Sequence, residues 1–196
     1  MGYSRADKAQ SHERIVQTAA MRFREKGIDG ISVADLMKEA GLTHGGFYRH
    51  FESRDDLVAQ AVETALKAGN GAIEQGLEGK SEACGLAAYI GIYLSEGHRD
   101  NPGEGCAVTA LAGDVARSGA PTRELYAQHV ARSVERLSEL MPTVLSESER
   151  RANALVIITT LAGALSVARA TGDAGMSSEI LMTVRERLVR EFAAEG

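Results

Sequence analysis

A chain of 196 residues, 44% apolar and 25% charged with a net charge of −5, is long enough to bury a core as one or two domains. Its two cysteines, Cys84 and Cys106, are too few for a disulfide framework, and the N-terminal MGYSRADKAQ lacks the apolar centre of a signal peptide. The uncharged run 152–168 is shorter than a membrane span and includes Asn153, Thr159 and Thr160, so we expect a soluble, cytoplasmic protein with no membrane partner.

Strand signals are sparse, and Ala, Leu, Glu and Arg dominate, so the expected class is all-α. A first helix is predicted over 11–26, with Ile15, Ala19 and Phe23 four apart and Gly27 and Gly30 ending it. Ser32 and Asp35 make a capping-box-like start for a second helix carrying Val33, Leu36, Met37 and Ala40. Gly41 sits where a helix closes on a left-handed residue. Thr43 is an N-cap candidate for a short helix over 44–50, and Ser53 with Asp56 caps the next, from Arg54. Two short helices about a glycine turn are a helix-turn-helix, whose second helix fits a DNA major groove. Tyr48, Arg49, His50 and Arg54 crowd donors suited to phosphate oxygens into that segment. Gly45 and Gly46 are poor helix formers that make sense if the helix must approach another surface closely. Phe47 and Phe51, four apart, face the core.

The remaining elements are predicted as follows. The helix from Arg54 carries Leu57, Val58, Ala61, Val62, Ala65 and Leu66, and a loop falls near 76–80. A helix over 81–96 precedes the loop GHRDNPGEG at 97–105. Further helices span 106–117, 121–141 (opened by Pro121), 147–171 and 177–193. The run 152–168 is apolar or small on nearly every side, so one side is expected to face a second copy of the chain.

The run GLTHGGFYRHFESRDDL resembles the TetR family of bacterial transcriptional regulators, in its glycine turn, its tyrosine-x-x-phenylalanine pair and the basic start of the following helix. The resemblance covers about residues 11–65. It implies a homodimer, with a helix-turn-helix DNA-binding domain at 1–53 and an effector-binding and dimerisation domain at 54–196. It places Thr43, His44, Gly45 and Gly46 at the groove, with Tyr48, His50 and Arg54 on phosphates; Arg54 stands where the family often has lysine. Ser32, at its helix start, joins the candidate DNA-binding set. The resemblance also implies a repressor released from a palindromic double-stranded operator by a small-molecule effector. Charge distribution agrees: residues 1–54 hold nine Lys and Arg against seven Asp and Glu, and the rest hold 13 against 20.

A ligand site is mostly apolar with a few placed polar groups. The candidates for it are Tyr89, Tyr93, His98, Cys106, Thr109, Tyr126 and His129. The tyrosines sit at helical spacing from apolar neighbours and equally suit a core. Cys106 follows Gly105 at a helix start, where the helix dipole favours a thiolate, with His98 and Arg99 shortly before it. A thiol-based sensor of electrophiles or oxidants is therefore an alternative, against the usual buried role of a free cysteine. Some family members carry a similar glycine–cysteine step. His98, Cys106 and His129 lack the spacing of a zinc site, so no metal is expected. No cofactor or catalytic residue is expected either: Walker, GxSxG and HExxH motifs are absent, and GNG at 69–71 lacks the third glycine of a dinucleotide fingerprint. A dimeric adaptor without DNA binding and an unrecognised helical enzyme are the remaining alternatives.

Overall fold

The structure, a computed structural model, describes residues 5–69 and 82–193, the last including only the backbone of 82–84. The loop expected near 76–80, and the side chain of Cys84 with any pairing to Cys106, lie outside the described residues.

Three segments build the head. α1 (Arg5–Lys26) buries Ile15, Val16, Ala19, Ala20 and Phe23, the predicted stripe, and starts six residues earlier than expected. Gly27 then turns the chain at φ +80°, a conformation only glycine adopts without strain. α2 (Val33–Glu39) opens on Ser32, whose hydroxyl accepts the Asp35 amide. It closes in a Schellman motif: Gly41 at φ +74° donates to the Lys38 carbonyl and Leu42 to that of Met37. The recognition segment His44–Arg49 is a 3-10 helix rather than the expected α-helix. Two consecutive glycines weaken the α form there, and the amides reach back three residues, Gly46 to Thr43 and His50 to Phe47. Thr43 occupies the N-cap with an extended backbone, but its hydroxyl makes no cap bond.

α3 (Arg54–Ala68), capped by Ser53 as predicted, packs on α1 in the head and on α7 (Ala120–Glu139) in the body. A boundary at 53/54 thus falls at the start of an element that both halves share. α4 (Glu82–Tyr93) buries Leu86, Tyr89, Ile90 and Tyr93. A five-residue helix, α5 (Glu96–Asp100), runs into the expected loop at 97–105. Ser95 caps it through the His98 amide, a signal masked by the glycines around it. α6 (Ala107–Arg117) follows Cys106, and α7 carries Pro121 in its first turn.

α8 (Glu147–Ala170) begins with a full capping box between Ser146 and Glu149 and packs between α7 and α9 (Ala174–Leu188). α9 starts three residues before the predicted point because Asp173 caps it through the Met176 amide, and it ends in a π-helical turn, Val189–Ala193. One side of α8 is core: Ala154, Ile157, Ile158, Leu161 and Leu165. The other leaves Leu155, Val156 and Val167 exposed, and Met176 and Met182 of α9 are exposed as well. By length and composition α8 is apolar enough to cross a membrane, which the uncharged run alone did not suggest. Its packed side and capping box suit a helix of a globular body. No strand occurs among the described residues.

Candidate nucleic-acid interface

The recognition segment is seated from below and open above. Phe47 and Phe51 are buried with ring centroids 5.3 Å apart, and His12 of α1 stacks on Phe51 at 4.7 Å. That aromatic seat turns the next side chain outward: Tyr48 is 79% exposed. Thr43, His44, Gly45 and Arg49 are also exposed. A Cβ built on Gly45 meets nothing within 4 Å, so the fold itself does not require glycine there. A Cβ on Gly46 meets only Met37 and Thr43 at ordinary contact distance. The absence of bulk at these positions leaves the face open to an approaching surface.

A groove of about 900 Å³ runs along this face, lined by Thr43, Gly46, Tyr48 and His50 together with Arg5 and Lys8 of α1 and Arg49. Sequence reasoning missed Arg5 and Lys8; two basic residues three apart at the polar start of a helix were the available signal. His50 is half-buried, and its Nδ1 has no partner. Burial, then the neighbouring His12, Lys8 and Arg49, hold its pKa below the ordinary imidazole value. At neutral pH the ring is therefore uncharged, with an unused nitrogen beside a cationic groove.

Two candidates stand elsewhere. Arg54 donates through Nη2 to the Ile28 carbonyl and to Asp29, both at 2.8 Å, and lines a separate cleft with Asp114 and Arg117 between head and body. Its fork is occupied by the chain itself. Ser32 spends its hydroxyl on the α2 cap and Asp35, beside Lys26 and Lys38.

Of the seven candidates for an effector site, Tyr89, Tyr93, His98, Cys106 and Thr109 form a packed cluster rather than a ring of open positions, and Tyr126 and His129 are on α7. Tyr89 and Tyr93 stack at 6.2 Å, and the Tyr93 hydroxyl pairs with that of Thr109 at 2.7 Å. Burial pushes the phenols of Tyr89 and Tyr93 above their ordinary value and that of Tyr126 up to about 12. Tyr126 donates to the Val108 carbonyl. His98 uses both ring nitrogens on backbone: Nδ1 donates to the Tyr93 carbonyl at 2.7 Å and Nε2 accepts the Cys106 amide at 2.8 Å. This fixes the neutral tautomer, and burial lowers the pKa. The expectation that His98 assists the thiol is thus corrected, because neither nitrogen is free for sulfur. Cys106 is buried, and His129 is buried in α7 with its pKa lowered by burial. Of the seven, Thr109 alone belongs to the lining of the body cleft that adjoins α1.

Residues 15–61 match the family described as bacterial regulatory proteins, tetR family. The HTH-type transcriptional regulator YfiR of Bacillus subtilis is 30% identical over 94 residues, 48% of this chain and 44% of YfiR. YvdT of the same organism is 38% identical over 55 residues, 28% of each chain. The chain therefore spans less than half the length of these curated relatives. A TetR transcriptional regulator from Chloroflexus aurantiacus superposes with a TM-score of 0.79 at 23% identity, over 95% of this chain and 98% of that one. Escherichia coli NemR, in its reduced form, superposes with a TM-score of 0.78 at 18% identity, over 95% and 99%. The chain carries a TetR-family helix-turn-helix domain at its head, on the all-helical fold of TetR-family regulators.

Proposed function

We infer that this chain is a sequence-specific DNA-binding regulator, a repressor that leaves a palindromic operator when a small molecule binds its body. The observation that carries this reading is the recognition face: exposed Tyr48, Thr43 and His44 around a glycine with empty space above it, beside the cations Arg5, Lys8 and Arg49. Thr43 and His44 contact base edges; Tyr48 and the cations contact phosphates; His50 joins them when its free nitrogen finds a donor or gains a proton. Arg54 and Ser32 remain in the set as contacts that would first have to leave their internal partners. With two glycines in six residues, DNA shape contributes to specificity.

Dimerisation through α8 and α9 is supported by their exposed apolar side chains, Leu155, Val156, Val167, Met176 and Met182. Gly163 of α8 adds an open position for close helix approach. Two heads then address half-sites about 34–36 Å apart or multiples of it. An effector that prefers the unbound spacing releases the DNA, for which about 1–3 kcal/mol of coupling is typical.

Selection of sites from a random DNA pool by the purified protein tests this at a stated salt concentration. A palindrome, with affinity falling steeply as salt rises, is the expected result. No enrichment from folded, dimeric protein sinks it, in favour of the adaptor or enzyme reading. The thiol-sensor reading draws on Cys106 at the amino end of α6 and on the likeness to NemR, described in a reduced form. N-ethylmaleimide treatment discriminates: loss of operator binding that Cys106→Ser abolishes supports the sensor, and insensitivity refutes it.

A further inference from the structure

A cleft of about 750 Å³ lies between the end of α1, α5 with Pro102 after it, the start of α6, the end of α8 and the start of α9. Three arginines line it: Arg24, Arg99 and Arg169. The two carboxylates in the lining are already engaged, Glu25 by Arg22 at 2.6 Å and Asp100 by Arg99 at 2.7 Å. Arg24 and Arg169 are in a different position. Arg24 is 9% exposed; its Nη1 donates to the Ala65 carbonyl at 3.0 Å, and its Nε has no partner. Arg169 donates only to carbonyls, from Nε to Arg99 at 3.1 Å and from Nη2 to His98 at 2.6 Å. Among the described residues neither guanidinium makes an ion pair.

Neutral carbonyls satisfy geometry but do not balance charge, and a buried cation without a counterion is costly. Arg24 is buried and Arg169 half-buried; Glu25 and Glu104 lie within electrostatic range of the first and Asp100 of the second, but none pairs with them, so an anion between the two supplies charge balance that the carbonyls do not. The lining also offers the Thr109 and Ser166 positions and the apolar surfaces of Pro102 and Ala110. The size and mixed lining suit a small organic molecule better than a bare inorganic ion. We propose that this cleft binds an organic carboxylate between Arg24 and Arg169, and that this acid is the effector. The effector role rests on the regulator reading above; the site itself does not.

The position also supplies a route to the head. Arg24 belongs to α1, and its bond to Ala65 ties α1 to the end of α3. A carboxylate that draws Arg24 towards the cleft weakens that bond and with it the packing of α1 on α3, the helix that also packs on α7 in the body. Binding at the cleft and head position are thereby linked through one side chain.

Calorimetric titration of the full chain without DNA tests the site, with benzoate, octanoate, their amides and inorganic phosphate as probes. We expect at least one acid to bind about ten-fold or more tightly than its amide. Arg24→Gln and Arg169→Gln should each weaken that binding about ten-fold or more, whereas Arg136→Gln, outside the cleft lining on α7, should not. Arg169→Gln carries the comparison if Arg24→Gln loses its fold by circular dichroism. Equal binding of acid and amide, binding indifferent to Arg169, no binding by either acid, or binding of phosphate alone each overturns the proposal. Repeating the titration with operator present separates the readings. Acid binding that leaves operator affinity unchanged overturns the effector role. Absence of any operator leaves the calorimetric result standing and removes only the regulator reading.

Discussion

The recognition face and the arginine cleft hold their polar groups in opposite ways. At the head, Tyr48, Thr43 and His44 lie in solvent, and a side chain added at Gly45 would meet open space. At the cleft, Arg24 is buried and Arg169 half-buried, both tied to backbone carbonyls. The first arrangement suits a large, highly charged surface that brings its own water and counterions. The second suits a small molecule that must give up its water to enter. What differs is where desolvation falls: on the incoming partner's terms at the head, and in advance, by the protein, at the cleft.

The sharpest way to break that comparison is to remove the seat of the head. Phe47→Ala should cost about 3–5 kcal/mol of stability in urea denaturation and abolish DNA binding, because Tyr48 loses the aromatic platform that turns it outward. A cost well under about 1 kcal/mol would mean that the face is not built on that core. Tyr48→Phe should leave the melting temperature unchanged and weaken DNA binding by about 1 kcal/mol, equally for operator and unrelated sequences. A loss confined to the operator would reassign the hydroxyl to base reading. Gly45→Ala separates fold from function: it should stabilise the chain by up to about 0.5–1 kcal/mol while weakening operator binding. Unchanged affinity in a fluorescence anisotropy titration would remove Gly45 from the interface.

The smallest effect is a pH slope. Burial holds His50, His98 and His129 below the ordinary imidazole value. The unfolded chain therefore binds more protons below about pH 6.5. Stability should be fully present above that pH and fall as pH drops towards the folded values. Differential scanning calorimetry of the wild type and of His98→Asn between pH 7 and pH 5 checks this; an equal slope in both would clear His98 of any share in it.

Much of the head was legible because its determinants are adjacent in the chain. Ser32, Gly41 and Ser53 mark their turns by residue type, and the Phe47 and Phe51 stripe follows from spacing. The 3-10 geometry was not, since propensity says that glycines weaken a helix without saying what replaces it. The body was legible only as helices. Ser95 and Asp173 caps moved boundaries that glycine and proline alone had suggested. The cleft escaped because Arg24, Arg99 and Arg169 come from three distant segments, and each reads alone as an ordinary surface cation. Arg54 was singled out by a family pattern, and its bonds to Ile28 and Asp29 join positions too far apart in the chain for spacing to reveal.

The apolar flank of α8 has a consequence for the amount of protein a cell must make. In the dimer proposed above, in which a second copy covers Leu155, Val156 and Val167, the two-headed species would form in proportion to the square of chain concentration while monomers predominate. Promoter occupancy then responds to abundance more steeply than a single-headed binder could. Expression level becomes an input in its own right, and a modest change in synthesis or dilution at cell division shifts the switch with no ligand at all.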